Sequence, residues 1–526
     1  MKFSTCFFFT LFAFSSFKTL AQAPGQTVDV QHYSFNLWLN DVNDTIKGKA
    51  AIAVKGIKAA SQVTFDLEKA NADGKGMLVT SVTEKGKKLK FKQSAQTLTI
   101  NTKIQLKSSH VYLITYSGVP SDGLIIAKNK YGDRTFFGDN WLNRAHNWLP
   151  CVDHVADKAT VDFVVTAPAH YGVVANGVKV KETVTGATKV TQYSETAPIS
   201  TKLMVIGVAN FDIDKSGEPD GIPVLAYTYP QDKDQGFKAY SVAKDILPYF
   251  IKQVGPFAYK KLANVQSKTK FGGMENAGAI FYYENSVGAK DVEALVAHEI
   301  GHQWFGDAAT EKGPAHVWLS EGFATYMAHH WHEHKYGADS LHKRLQQDKK
   351  LIFGFERTRK TPIVDTTRVT DYMDLLNPNS YQKAAWVLHM LRLKLGDEVF
   401  WTGVRKYYAT YMNGNASTEN FIAVMEKVSG QNLKQFFKQW LYTPLHPRLR
   451  ITWNTDKTNH GPHVRVEQLQ EVPYELPLQI MIGDTGYNLN VKNKVLDVQL
   501  APPTKTGALV ADPKGELLAE IEVMEK

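Results

Sequence analysis

The chain is nearly without cysteine: of its 526 residues only Cys6 and Cys151 carry a thiol. Cys6 lies in the apolar run at the N-terminus, so a chain processed there keeps Cys151 alone, and one thiol forms no intrachain disulfide. Stability must then come from a buried core, which a chain of this length can supply. Long hydrophobic runs are also scarce. The apolar stretch from Cys6 to Phe14 is too short for a stable membrane span. With Lys2 ahead of it and Ala21 and Ala23 behind, it has the form of a secretory signal peptide. The expectation is a leader over residues 1–21, cut after Ala21 because Pro24 would follow a cut at Ala23. That predicts an exported protein, periplasmic or secreted, with no transmembrane segment.

A strong charge imbalance is missing too. The formal net charge is +9, falling to about +7 if Lys2 and Lys18 leave with the leader, and the basic residues are scattered. The densest cluster, Lys85, Lys87, Lys88 and Lys90, has no interleaved aromatics, so it reads as a solvated hairpin and predicts no nucleic-acid partner. No internal repeat or low-complexity tract is visible. What remains is an ordinary globular composition, 43% hydrophobic and 21% charged, at a length that predicts about three domains.

The pattern of apolar residues divides the chain. From Val28 to Asp214 it has period two, as in Tyr33, Phe35, Leu37 and Leu39, and again in Val111 to Tyr116 and Asp162 to Thr166, which predicts an all-β domain over 22–214. Helical spacing begins at Phe237 to Val254. It continues through Asp291 to Phe305, Glu321 to Lys335, Ala384 to Leu395 and Leu433 to Leu441, which predicts a mainly helical domain over 215–445. Beyond Pro447 the period-two pattern returns in Leu449 to Trp453, Val464 to Leu469 and Leu478 to Ile482, which predicts a small β-sandwich over 446–526. The fold class expected is multidomain α+β.

Within the helical part, His298-Glu299-Ile300-Gly301-His302 sets two imidazoles at i and i+4, on one helix face and able to meet one ion, with a carboxylate between them. Asp291 is the expected N-cap and Gly306 the expected stop. Taken alone, the pentapeptide reads equally well as a packed histidine pair. A catalytic zinc needs a third protein ligand. Glu321, at the opening of the next predicted helix, can supply it, or can simply complement the helix dipole. Upstream, Gly272-Gly273-Met274-Glu275-Asn276 is either a glycine turn or a segment whose backbone approaches a bound chain closely. A carboxylate at Glu275 would there pair with a free ammonium group. His329, His330, His332 and His334 form a denser cluster. With no third ligand evident, they read as a solvated or packed helix face.

These motifs together resemble the zinc aminopeptidase family that includes aminopeptidase N and the leukotriene hydrolase. The carriers are the Gly-x-Met-Glu-Asn segment at 272–276, His-Glu-x-x-His at 298–302 followed after 18 residues by Glu321, Gln303-Trp304-Phe305-Gly306 and Gly322-Phe323-Ala324. Trp148 to His154 and Asp157 to Thr160 are similar to that family's first domain. The resemblance implies a thermolysin-like catalytic domain and one Zn2+ per chain, bound by His298, His302 and Glu321. It implies that Glu299 activates a zinc-bound water and that Glu275 recognises the substrate α-amino group. Tyr381, in Tyr381-Gln382-Lys383-Ala384, matches the tyrosine that bonds the tetrahedral intermediate, although the family usually has Gly at Ala384. Many members place Gln or Glu where Trp141 stands, leaving Asp139 or Asn140 as weak replacements. Met274 would line the first side-chain pocket.

The function implied is removal of N-terminal residues from peptides with a free N-terminus. The alternatives are an endopeptidase, a lipid epoxide hydrolase and a non-catalytic peptide-binding homologue.

Overall fold

The computed structural model describes residues 26–366, 372–454 and 461–526, so the expected leader lies outside the described residues. The alternating N-terminal segments form an eight-stranded sheet in which Val28–Trp38 lies between Ile46–Gly56, antiparallel, and Lys158–Pro168, parallel. Register sets Tyr33 beside Val161, Phe35 beside Phe163 and Leu37 beside Val165, so one face of the sheet is a continuous apolar layer. A three-stranded sheet (Ala60–Asp66, Thr97–Ile104, Phe91–Gln93) and a four-stranded sheet led by Gly172–Ala175 complete this β-rich part.

The part expected to be mainly helical opens with a five-stranded sheet, ordered Asp212–Gly217, Val224–Thr228, Leu262–Ser267, Ala279–Tyr283, Gly273–Met274. Leu262–Ser267 is buried at every position and Ala279–Tyr283 at all but the last. Strands covered on both faces have no alternation to read, which is why period two missed them. The span Phe237 to Val254 is two helices, Lys233–Tyr240 and Ala243–Val254, rather than one. Ala384–Leu395 begins and ends where its spacing predicts.

The C-terminal strands make two small sheets of four and three strands. Ile451, Trp453, Leu478 and Ile480 from these sheets join Trp331, Leu341 and Trp386 from the helices in one continuous core. The architecture is therefore multidomain α+β, as expected. No helix among the described residues is long and apolar enough to cross a membrane.

Candidate metal centre and substrate cleft

Val292–His302 is a helix buried along Val296, Ala297 and Ile300. It packs on the helix Trp318–Tyr336, in which Glu321 is the fourth residue. Asp291 occupies the N-cap position but makes no capping bond, because its carboxylate faces Arg344. The two helices bring three donors together. Nε2 of His298 and Nε2 of His302 are 3.0 Å apart, and Oε2 of Glu321 is 3.5 Å from the first and 3.2 Å from the second. Ligands about 2.0–2.1 Å from a tetrahedral zinc would stand about 3.3 Å apart, so the triangle fits that ion.

Hydrogen bonding also prepares the ligands. Nδ1 of His302 lies 3.2 Å from the Phe305 carbonyl, which can only accept, so Nδ1 donates there and Nε2 is the atom turned to the donor triangle. The Ser320 hydroxyl, 3.0 Å from the same Nδ1, fixes the ring further. Burial opposes charge on His302, yet Glu321, followed by Glu275, outweighs it and lifts the imidazole pKa to about 10. For Glu321 burial is likewise outweighed, here by His302 and His298, and its carboxyl is held far below the usual range. The donor set thus favours a positive charge at its centre, and a metal dication supplies one.

Glu299 lies under the edge strand Gly273–Met274, with a carboxylate oxygen within 4.8 Å of a His302 ring nitrogen and of a Glu275 oxygen. A Cβ on Gly273 would fall 2.2 Å from Oε1 of Glu299, so any side chain at this position must displace the carboxylate. Gly272 has no such constraint, with Leu295 Cδ1 at 3.9 Å as its nearest neighbour. The glycine that matters therefore admits an enzyme carboxylate rather than a bound chain alone. Burial, together with Glu275 and Glu321, pushes the Glu299 carboxyl well above its ordinary pKa, against the influence of His302.

Glu275 is buried, and its Oε1 has no hydrogen-bond partner among the described residues. Asn276 is fully buried with neither side-chain polar atom bonded. Gln303, one residue past the helix, clamps this segment: its Nε2 donates to the Glu275 carbonyl at 2.7 Å and its Oε1 accepts from the Gly278 N–H at 2.8 Å. Tyr381 sits in the π-helical turn Asn379–Lys383, its ring stacked on His298 at 6.0 Å and 12°. Burial and the nearby Glu321, Glu275 and Glu299 keep its phenol protonated well above the ordinary range. The methyl of Ala384 stands where a Gly322 Cβ would be, 2.4 Å away, so the alanine fills the helix contact that Gly322 opens.

A cleft of about 570 Å³ unites these groups. Gly272, Gly273, Met274, Glu275, His298, Glu299, His302, Glu321 and Tyr381 line it, whereas Asn276, expected to bind substrate, is fully buried behind it and is not among the lining residues. Asp139 and Asn140 do not. Asp139 is taken up by Arg144, Thr269 and the Lys270 N–H, and Asn140 by Thr201, Met204 and Trp148, so both hold the fold together and neither reaches an amine. Trp141 lines the wall instead, with Phe271, Leu295, Thr325, His329 and Arg344. Of these, Phe271, Thr325 and Arg344 carry no local pattern and escaped the sequence reading, and His329, read there as part of a solvated or packed helix face, reaches the cleft wall.

The histidine cluster is packed rather than convergent. His329 bonds Asp348, His330 bonds Tyr249 and Glu333, His332 accepts from Arg344, and His334 stacks on Tyr249.

The Peptidase family M1 domain matches residues 239–440, and the Peptidase M1 N-terminal domain matches 29–203. The chain belongs to the M1 peptidase family. It is 30% identical over 411 residues to "Probable aminopeptidase 2" of Sulfurisphaera tokodaii, covering 74% of this chain and 51% of that protein. It is also 30% identical over 328 residues to "Aminopeptidase M1-C" of Oryza sativa subsp. japonica, covering 58% and 37%. To "Leucyl aminopeptidase" of Saccharolobus solfataricus it is 24% identical over 457 residues, covering 80% and 56%. The chain thus spans about half the length, or less, of these M1 relatives.

Proposed function

We propose that this M1 protein is a zinc-dependent aminopeptidase that removes the N-terminal residue from peptides with a free amino end. The observation that carries this reading is the pairing of a three-donor metal triangle with a buried, partnerless carboxylate oxygen on Glu275 in the same cleft. Zn2+ held by His298, His302 and Glu321 would supply a Lewis acid that acidifies water and polarises the scissile carbonyl.

The remaining roles belong to the chain. Glu275 accepts hydrogen bonds from the substrate ammonium, which fixes the first residue and discriminates against a blocked amine. The edge strand Gly273–Met274 offers backbone groups for an extended peptide to pair with, in the manner of an added strand. Glu299 takes the proton of the attacking water and delivers it to the leaving nitrogen. The Tyr381 hydroxyl donates to the oxygen that becomes negative at the tetrahedral stage. Gln303 holds the Glu275 turn without touching the substrate.

The test is release of N-terminal residues from matched free and Nα-acetylated peptides by purified protein of measured zinc content. Free peptides should be cleaved and acetylated ones spared. Glu299→Gln should keep its zinc and lose about 10²–10⁴ in kcat. Equal cleavage of the blocked peptides, or undiminished turnover by Glu299→Gln, defeats the proposal.

A further inference from the structure

Among the described residues lining the cleft, three glutamates (Glu275, Glu299 and Glu321) face a single permanently charged cation, Arg344. Glu321 is spent on the metal triangle, and the sequence gives no hint of Arg344. It stands on the helix Ala338–Glu356, away from both motifs, and reaches the site through tertiary packing alone. Its guanidinium is held from two sides. Nη2 donates to Asp291 Oδ1 at 3.0 Å and to His332 Nε2 at 2.9 Å, and Nη1 lies 3.4 Å from Asp291 Oδ2. Burial and the adjacent Arg344 charge depress His332 to a pKa of about 4, so the imidazole is a neutral acceptor that positions the cation without cancelling it.

The remaining partner, Asp291, is 70% exposed while the arginine is 19% exposed. An ion pair with so solvated a carboxylate is weak. Nε has no acceptor among the described residues, so the guanidinium retains donor capacity on the cleft side. With both Nη2 hydrogens engaged, Nε–H is the free donor on that edge, and a charge-assisted donor of this kind suits a carboxylate oxygen better than any other peptide group.

The direction of a bound peptide follows from the same residues. Glu275 marks the amino end, and Gly272, just before the strand leading to it, lies against Leu295. Residues beyond the scissile bond therefore run along Leu295 and on toward the start of the helix, where Asp291 and Arg344 meet. From His298 back to Asp291 is seven residues, about 10 Å of helix rise, which is about three residues of extended chain.

We propose that Arg344 is a specificity-determining residue that receives the C-terminal carboxylate of tri- and tetrapeptides, making the cleft selective for short peptides with a free carboxyl end. This rests on the aminopeptidase reading above and adds the far end of the substrate to it.

The experiment compares kcat/KM for tetra-alanine and for its C-terminal amide in the wild type, Arg344→Gln and Asp291→Asn. The wild type should prefer the acid about tenfold or more. Arg344→Gln should bring the ratio near one. Asp291→Asn, which removes the competing carboxylate, should raise it. An acid-to-amide ratio that is the same in all three proteins overturns the proposal. If no protein turns over either peptide, the aminopeptidase reading fails by itself, and calorimetric binding of the same two peptides decides about Arg344. A preference for the acid that vanishes in Arg344→Gln upholds it, and equal binding of acid and amide refutes it.

Discussion

Gly273 lies so close over Glu299 that a Cβ would meet the carboxylate at 2.2 Å from Oε1 and 2.4 Å from Cδ. The side chain proposed to move the proton is thereby roofed by backbone, and its position depends on one missing methyl group. Gly273→Ala should push the carboxylate aside by about 1 Å, a displacement that costs on the order of 100-fold in kcat. Zinc content and melting temperature should stay near wild type, because an edge strand of two residues carries little of the core. Gly272→Ala, with open space before Leu295, should lose far less. Similar losses in the two variants would show that Glu299 placement is not what Gly273 protects.

Gln303 joins the two halves of the site: one amide bonds the Glu275 carbonyl, the Gly278 N–H and Asp307 Oδ2. Gln303→Ala leaves buried groups unpaired at about 1–3 kcal/mol each, so denaturant unfolding should register a loss on the order of 3 kcal/mol. A loosened Glu275 holds the substrate amine less well before and during reaction alike, so KM should rise several-fold more than kcat falls. An unchanged KM with lowered kcat would place the role of Gln303 at the metal helix instead.

The parts of the site that were legible in the sequence are those set by local periodicity or by a compact motif. His298 and His302 converge because i and i+4 share a helix face, and Glu321 meets them from the first turns of a helix that the apolar spacing already marked. The strands of the N-terminal sheet were legible for a similar reason, being covered on one face. What stayed hidden depends on distant packing. The parallel pairing of Val28–Trp38 with Lys158–Pro168 spans more than a hundred residues, and the fully buried Leu262–Ser267 has no alternation. Asp291 has the composition of an N-cap, but Arg344, 53 residues away, takes its carboxylate. Asp139 and Asn140 stood one and two residues before the matching position, Trp141, and their side chains are fully employed in the fold.

Lys202 and Glu311 form a second relationship of that hidden kind. They are 109 residues apart, 2.6 Å between Nζ and Oε1, with side chains 0% and 1% exposed. The pair ties the turn Thr201–Leu203 of the β-rich part to the strand Ala309–Glu311 beside the metal helix. Removing one partner strands a buried charge, so Lys202→Met should destabilise the protein by about 3–5 kcal/mol. Lys202→Met with Glu311→Leu, which removes both charges, should recover much of that loss. A double variant no more stable than the single one, by urea unfolding, would show that packing rather than charge dominates there.

Glu333 carries a pH dependence that lies outside the cleft. Burial raises its pKa, but hydrogen bonds from His330 and Arg392 outweigh it and hold the carboxyl at about 2, against an ordinary 4.5. A carboxyl depressed in the folded state contributes stability that is fully present above the unfolded value. That contribution is lost as pH falls through the folded one. Glu333→Gln should therefore lie below wild type in unfolding free energy above pH 4.5, and the gap should narrow steadily between pH 4.5 and about 2. Urea unfolding of both proteins across that range measures the gap, and a gap of constant size would mean that Glu333 does not titrate in the folded protein as its partners require.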